Sequence, residues 1–173
     1  MAIGLVLILI MFFSLLGYSF NRTEEGSEGK IIYNGIEFLK EQGLWKAKIE
    51  NLLFSFQYNP NEVNKINSIL NPIENYYDKP LYIYSESSDA GTEIYRNLFY
   101  HNQIIERMQY ACLEEEKCEE NYPVKDCTNN FIIIKEGENT EVRQQDNCVF
   151  IEGKEEELIK LTDSFLFRII GVQ

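Results

Sequence analysis

The feature that most constrains this chain is its apolar N-terminus. Residues Ala2–Phe20 carry no charge and no proline, and only Gly, Ser and Tyr interrupt the strongly hydrophobic side chains. A helix over this run would be about 28 Å long, close to the hydrocarbon thickness of a bilayer. The sequence therefore predicts a transmembrane anchor over residues 1–20, with the lipid bilayer as the partner of residues 2–20.

A cleaved signal peptide is the alternative to an anchor. Such a peptide has a basic start, an apolar core of about 7–15 residues and a small-x-small cleavage site. No Lys or Arg precedes the run here, and its end offers only Gly17 and Ser19 as small residues. These features favour an uncleaved anchor. Its flanks hold too few basic residues for the positive-inside rule to set the orientation.

The rest of the chain is acidic. It has 16 Lys and Arg against 28 Asp and Glu, a net charge of −12, and no charge lies before residue 22. An acidic surface repels phosphate backbones, so nucleic acid is not expected as a partner. The hydrophobic content of 45% is high enough for a packed core. We expect a stalk over residues 21–30 and one domain over residues 31–173.

The four cysteines decide on which side of the membrane the domain lies. An even number of cysteines behind a membrane-targeting segment is typical of two disulfides in an oxidising compartment. The C-x2-C and C-x4-C pairs of zinc sites are absent. This pattern predicts a domain outside the cytoplasm. If Gly137-Glu138 form the centre of a hairpin, Cys127 opposes Cys148 across its two strands, and Cys112 is left to pair with Cys118.

Residues 31–79 have the alternation of an antiparallel meander. Apolar and aromatic side chains recur at every second position in three segments, with turns between them. The predicted strands are Ile31–Lys40, Leu44–Glu50 and Leu52–Tyr58. A short helix is expected to follow, capped by Asn61 and ended near residue 70 by Asn71-Pro72.

Residues 80–173 predict a β-α-β-β-α unit stapled by disulfides, which makes the fold class α+β. Strands are expected at Pro80–Tyr84 and Phe131–Lys135, and two further stretches, Thr140–Gln145 and Cys148–Glu152, return from the second of these strands. Helical spacing of apolar residues predicts a long helix from about Ala90 to Glu115 and an amphipathic helix over Lys154–Ile170, with Gly171 at its C-cap position.

The loop between the strand and the long helix is the one candidate ligand site. A helix N-terminus can hold an anion, and α/β sheets bind ligands at the carboxyl ends of their strands. The candidate ligand-binding residues are Ser85, Ser87, Ser88 and Asp89. Gly91 is the only glycine in the segment, so it is neither a P-loop nor a G-x-G-x-x-G turn. Ordinary capping by Ser88 or Asp89 is the favoured interpretation.

Catalytic motifs are not found. His101 is the only histidine, and neither a G-x-S-x-G elbow nor a Cys-x-x-Cys pair accompanies it. The acidic residues are numerous but lack the spacing of an EF-hand loop. The sequence therefore predicts a protein that is not an enzyme and that uses neither a metal nor a cofactor.

Several short motifs, spread over most of the chain, resemble those of another group of proteins. They are Tyr33-Asn34-Gly35-Ile36-x-Phe38, Leu44-Trp45, Phe56-x-Tyr58-x-Pro60-x-Glu62, Pro123-x-x-x-Cys127, Asp146-Asn147-Cys148-Val149-x-Ile151-x-Gly153 and Asp163-x-x-Leu166-Phe167-x-Ile169-x-Gly171. With its apolar N-terminus, the chain resembles uncharacterised single-span proteins encoded in small archaeal genomes. The resemblance implies a cell-surface location and supplies neither an activity nor site residues.

Two functions remain in competition after these observations. The favoured one is a membrane-anchored module that binds a protein partner or stabilises an envelope complex. The alternative is a small-ligand or substrate-binding domain that uses the Ser85–Gly91 loop. An exposed apolar face would favour the first function, and a concave pocket at the loop would favour the second. A thiol-redox enzyme is the weakest possibility, because no Cys-x-x-Cys motif is present.

Overall fold

The computed structural model describes residues 29–114 and 121–173. The predicted anchor, most of the predicted stalk and Cys118 lie outside these ranges. No helix within them is both long enough and apolar enough to cross a membrane. The α+β class is confirmed in the described residues, which form an antiparallel meander, a mixed sheet and two helices.

The meander has four strands rather than the three predicted. They are β1 (Gly29–Tyr33), β2 (Ile36–Glu41), β3 (Leu44–Ile49) and β4 (Leu52–Phe56). The segment predicted as one strand over Ile31–Lys40 is a hairpin, with Tyr33 paired to Ile36. Asn34 and Gly35 form its turn with φ values of 48° and 82°, which is the type I′ geometry that Asn-Gly favours.

Replacing Gly35 by alanine is expected to lower the free energy of unfolding by about 1 kcal/mol, because an L side chain must then adopt a left-handed φ. The alanine Cβ would have no atom within 4 Å, so the cost is conformational and involves no clash. Chemical denaturation measures the loss. Gly137→Ala is the control, since Gly137 does not have a left-handed φ and its added Cβ would make only ordinary contacts. Equal losses at the two glycines would contradict this account.

The remaining strands follow the meander in the sequence. They are β5 (Pro80–Ser85), β6 (Arg107–Tyr110), β7 (Cys112–Leu113), β8 (Val124–Lys125), β9 (Phe131–Glu136), β10 (Glu141–Gln145) and β11 (Cys148–Gly153). Five of them form a mixed sheet in the order β10-β11-β9-β5-β6, while β7 pairs separately with β8. Every neighbouring pair in the mixed sheet is parallel except β10 with β11.

The first helix is much shorter than predicted. Helix α1 (Ser88–Tyr95) continues into a π turn over Arg96–Tyr100, and the chain leaves the helical path at Gln103, which has a φ of 48°. The chain then returns as β6, parallel to β5, and completes a β-α-β crossover. Met108 and Cys112 fall within the predicted long helix but belong to strands β6 and β7.

The second helix agrees with its prediction, whereas the short helix predicted after the meander is wrong. Helix α2 (Leu158–Ile169) follows a 3-10 turn at Glu155–Glu157, and Gly171 ends it with a φ of 76°. Residues 61–70 are not helical, and a 3-10 turn occupies Ile73–Tyr76. This segment is rich in Asn and in β-branched side chains, which disfavour helix.

The Cys127–Cys148 disulfide is confirmed, with its Cα atoms 4.9 Å apart. The hairpin used to predict it is wrong, because β9 and β11 are parallel and Cys148 lies opposite Phe131. The antiparallel hairpin joins β10 to β11 instead, through a turn at Asp146, which has a φ of 52°. The bridge therefore links the loop that precedes β9 to the first residue of β11, the parallel neighbour of β9. Cys112 is also disulfide-bonded, and its predicted partner Cys118 lies outside the described residues.

The core has three layers, with α2 between the meander and the mixed sheet. Residues 161–167 are all buried, so the middle of this helix is covered on every side. The Phe167 ring lies 5.9 Å from the Phe38 ring and 4.4 Å from the Phe56 ring, measured between centroids. On the other side of the helix, Leu161 packs closely against Gly153 of β11. Helix α2 thus joins the two sheets into one hydrophobic core.

Candidate functional site

Side chains from the helical layer cover the outer edge of β4. The backbone N–H of Leu53 donates to Asn102 Oδ1 at 2.9 Å, and the N–H of Ser55 donates to Asn97 Oδ1 at 2.8 Å. Both asparagines return a hydrogen bond, since their Nδ2 groups donate to the carbonyls of the same two residues at 3.0 and 2.8 Å. Each side-chain amide therefore pairs with the edge as another strand would.

Two carboxyl groups continue this row beyond the end of β4. The N–H of Gln57 donates to Glu93 Oε1 at 3.1 Å, and the N–H of Tyr58 donates to Asp163 Oδ2 at 2.8 Å. We call the four side chains that cover this edge the polar ladder: Glu93, Asn97, Asn102 and Asp163. Because an edge strand exposes unpaired backbone groups that invite aggregation, the polar ladder both satisfies and blocks the edge.

Helical spacing makes the polar ladder possible. Glu93 and Asn97 are four residues apart, which is about 6 Å of rise in a helix, and Ser55 and Gln57 are about 6.8 Å apart in an extended strand. The near match lets one face of the helix follow alternate residues of the strand. Asn102 extends this row of side chains beyond the π turn, and its Nδ2 group also donates to the Asn97 carbonyl at 2.9 Å.

Glu93 and Asp163 form a fully buried carboxyl pair. Glu93 Oε1 accepts from the Gln57 backbone, and Oε2 accepts from Arg96 Nη1 at 2.7 Å. Asp163 Oδ2 accepts from the Tyr58 backbone, but within the described residues Oδ1 meets no hydrogen-bond donor. Each carboxyl group shifts the pKa of the other, so the two lie close together, and a proton on one of them would relieve their repulsion. The donor-free Oδ1 of Asp163 is the atom that can carry that proton.

Electrostatics agree with a neutral Asp163. Burial raises the pKa of Asp163 well above its usual range, and the negative charge of Glu93 raises that pKa further. Burial also raises the pKa of Glu93, but the Arg96 guanidinium opposes that effect. The electrostatics therefore favour Glu93 as the carboxylate of the pair and Asp163 as the protonated acid.

The carboxyl pair resembles a catalytic carboxyl dyad only in its chemistry. Catalytic dyads face a cleft that admits substrate. Glu93 and Asp163 are both fully buried, and among the described residues neither lines any of five surface cavities with volumes of 170 to 500 Å³. Both carboxyl groups bond instead to the backbone that leaves β4.

A cavity lined mainly by apolar residues lies where the meander meets the end of α2. Its volume is 200 Å³, which is below the roughly 300–1,000 Å³ typical of small-molecule sites. Its lining includes Leu52, Phe54, Ile73, Tyr77 and Ile170. Two larger but open cavities, of 350 and 500 Å³, lie beside Asn147 at the start of β11. Within the described ranges, no group of three or more His, Cys, Asp or Glu is arranged to hold a metal ion.

The predicted ligand-binding residues lie together between β5 and α1. Ser87 is the N-cap and accepts from the Ala90 N–H at 3.3 Å, so the predicted capping by Ser88 or Asp89 is wrong. The Ser85 hydroxyl donates to the Ser87 carbonyl at 2.6 Å. Ser88 and Asp89 are exposed. The loop thus uses the hydroxyls of Ser85 and Ser87 for its own geometry, and residues 85–91 line none of the five cavities.

The π turn carries exposed aromatic side chains. The Tyr95 ring lies 5.5 Å from Phe99 and 6.3 Å from Tyr100, and the Tyr100 ring lies 5.1 Å from His101. We call these four residues the aromatic patch. Tyr95 is 40% exposed and Tyr100 is 66% exposed. Partial burial lowers the pKa of His101, and the nearby cations Arg96 and Lys46 lower it further, so this histidine is neutral at pH 7.

The chain was compared with protein-family models, curated proteins and solved structures, and no match was found. The resemblance to single-span archaeal proteins therefore stays a prediction. The geometry of the aromatic patch and the N-terminal sequence are the features that bear on function.

Proposed function

We propose that this protein is a membrane-anchored domain outside the cytoplasm that binds a protein partner through its aromatic patch. The exposure of Tyr95 and Tyr100 carries the proposal. Tyrosines are enriched at protein interfaces, where they combine a large apolar surface with a polar tip. A π turn is an uncommon element that occurs often at functional sites.

The polar ladder supports this role by holding the aromatic patch rigidly. Asn97 lies within the π turn, Asn102 lies two residues after its end, and each bonds in both directions to the β4 backbone. A preorganised surface loses less conformational entropy on binding than a loosely held one. The patch therefore suits recognition of a partner without rearrangement.

The proposed location depends on two other features. The uncharged run Ala2–Phe20 has the length of a membrane span. The disulfide between Cys127 and Cys148 is typical of an oxidising compartment. Together they favour a domain tethered on the outer side of the membrane.

Membrane attachment can be tested with the full chain. We expect the protein to sediment with membranes after an alkaline wash and to require detergent for release, because Ala2–Phe20 would remain in the bilayer. A variant with two arginines placed within that run is the control and should be lost from the membrane fraction, since a charge at the centre of a span costs several kcal/mol. Detergent-free solubility of the unaltered protein would contradict the anchor.

Partner binding can be tested by photo-crosslinking in native membranes. A photoreactive side chain at Tyr100 is expected to give one discrete adduct, which Tyr95→Ser should abolish. Ile32 on the meander is a matched control, because it is 67% exposed against 66% for Tyr100. The same adduct from both positions, or none from Tyr100, would count against the aromatic patch as an interface.

A further inference from the structure

We propose that one proton shared by Glu93 and Asp163 latches the meander to the helical layer, and that the latch opens as the solution becomes more alkaline. These carboxyl groups accept two hydrogen bonds from the end of β4, one from the Gln57 N–H group and one from the Tyr58 N–H group. The latch does not depend on the proposed partner binding.

The latch joins three separate elements of the fold. Glu93 lies on α1, Asp163 lies on α2, and the two donors belong to the segment that leaves β4. Both carboxyl groups are fully buried, so water cannot replace a lost hydrogen bond. Without the shared proton, two negative charges would lie side by side in this dry environment.

Few charged groups face the pair from the elements packed against it. Arg96 contacts the Glu93 carboxylate from the π turn, and the β4 segment contributes backbone N–H groups. The Nζ atom of Lys160 lies 5.0 Å from the ring centroid of Tyr58. His101 is neutral, and the positive charge of Arg96 contributes to lowering its pKa. Arg96 can balance one carboxylate, and Lys160, the other cation, lies over the Tyr58 ring, so a second ionised carboxyl would have no paired cation among these groups.

The direction of the pH dependence follows from the position of the proton. In the closed state Asp163 holds its proton, whereas an exposed Asp ionises near its ordinary pKa of 3.8. Opening therefore releases one proton at every pH between that value and the raised closed-state pKa. Across this window the opening equilibrium constant rises about tenfold per pH unit. The stabilisation is complete below the ordinary pKa and is lost as the pH rises through the raised one.

Amide hydrogen exchange at Gln57 and Tyr58 tests the latch, because these two N–H groups bond to the pair. Under conditions where reclosing outruns exchange, the observed rate is the product of the opening constant and the intrinsic rate, which itself rises about tenfold per pH unit. We expect the two amides of the unaltered protein to exchange about a hundredfold faster per pH unit. In Asp163→Asn the dependence should fall to about tenfold, since the new amide keeps both hydrogen bonds without a proton to lose.

Glu62→Gln is the matched control. Glu62 also accepts the backbone N–H of a nearby residue, Asn59, at 2.8 Å, but it is exposed. This variant should keep the hundredfold dependence at Gln57 and Tyr58. A tenfold dependence in the unaltered protein, or a hundredfold one in Asp163→Asn, would overturn the proposal.

A second measurement covers the case in which Asp163→Asn does not fold. The carboxyl carbon shift of Asp163 reports its protonation directly in the unaltered protein. We expect the shift of a protonated carboxyl at pH 6, while Asp126, whose pKa is lowered by its hydrogen bonds with Thr128, shows that of a carboxylate. An ionised Asp163 at pH 6 would overturn the proposal by itself.

Discussion

Phe167→Ala is expected to lower the free energy of unfolding by about 3–5 kcal/mol, the usual range for deleting a buried Phe. Phe167 is fully buried on α2, and its ring contacts those of Phe38 and Phe56, which also contact each other. The substitution would leave a cavity where the middle layer meets the meander. Because both neighbours are large rings on a hydrogen-bonded sheet, we expect little collapse into the space.

Urea denaturation followed by circular dichroism measures this loss. Tyr100→Ala is the control, since it removes an aromatic ring of similar size from an exposed position and should change the stability by less than about 0.5 kcal/mol. If Phe167→Ala does not fold, Phe167→Leu gives a smaller loss at the same position. A loss at Phe167 no greater than that at Tyr100 would contradict the central role of α2.

Asn97→Ala is the second substitution for which we expect a large effect, with a loss of about 3 kcal/mol. It would leave the N–H and the carbonyl of Ser55 buried without partners, and each unsatisfied group costs about 1–3 kcal/mol. Asn97 is fully buried and Ser55 is 2% exposed, so water does not reach either group.

Asn102→Ala is a control that the fold itself provides. Asn102 makes the same two hydrogen bonds as Asn97, but to Leu53, which is 45% exposed. Water can replace the amide there, so the expected loss is below about 1 kcal/mol. Denaturation of both variants under one set of conditions gives the comparison. Similar losses at the two asparagines would show that burial does not govern the strength of the polar ladder.

The meander could be predicted because its information is local. Alternation marks β3 and β4, and the Gln42-Gly43 turn between β2 and β3 has positive φ at both residues, 53° and 79°. The Asn34-Gly35 turn carried an equally local signal, which the alternation of the surrounding apolar residues concealed. The mixed sheet was harder, because alternation identifies a strand but not its partner or direction. Nothing local reveals that β11 inserts between β9 and β10.

The polar ladder could not be predicted from the sequence for a related reason. Glu93, Asn97 and Asn102 have the polar character of a solvent-facing helix surface, and only the arrival of β4 buries two of them. Asp163 was easier to identify from the sequence, since it lies with Thr162 and Ser164 between the apolar residues Leu161 and Phe165 of the helix. All three are buried, and the two hydroxyls donate to carbonyls one turn earlier, each at 2.8 Å.

The position of α2 between the sheets has a consequence for synthesis. This helix follows every strand of both sheets in the sequence, so a growing chain makes the meander and the mixed sheet before the element that joins them. Until α2 emerges, the inner face of the meander is uncovered and Glu93 lacks its carboxyl partner. Such intermediates expose apolar surface and are prone to aggregate. The interval between completion of β11 and docking of α2 is therefore when this chain most needs a chaperone.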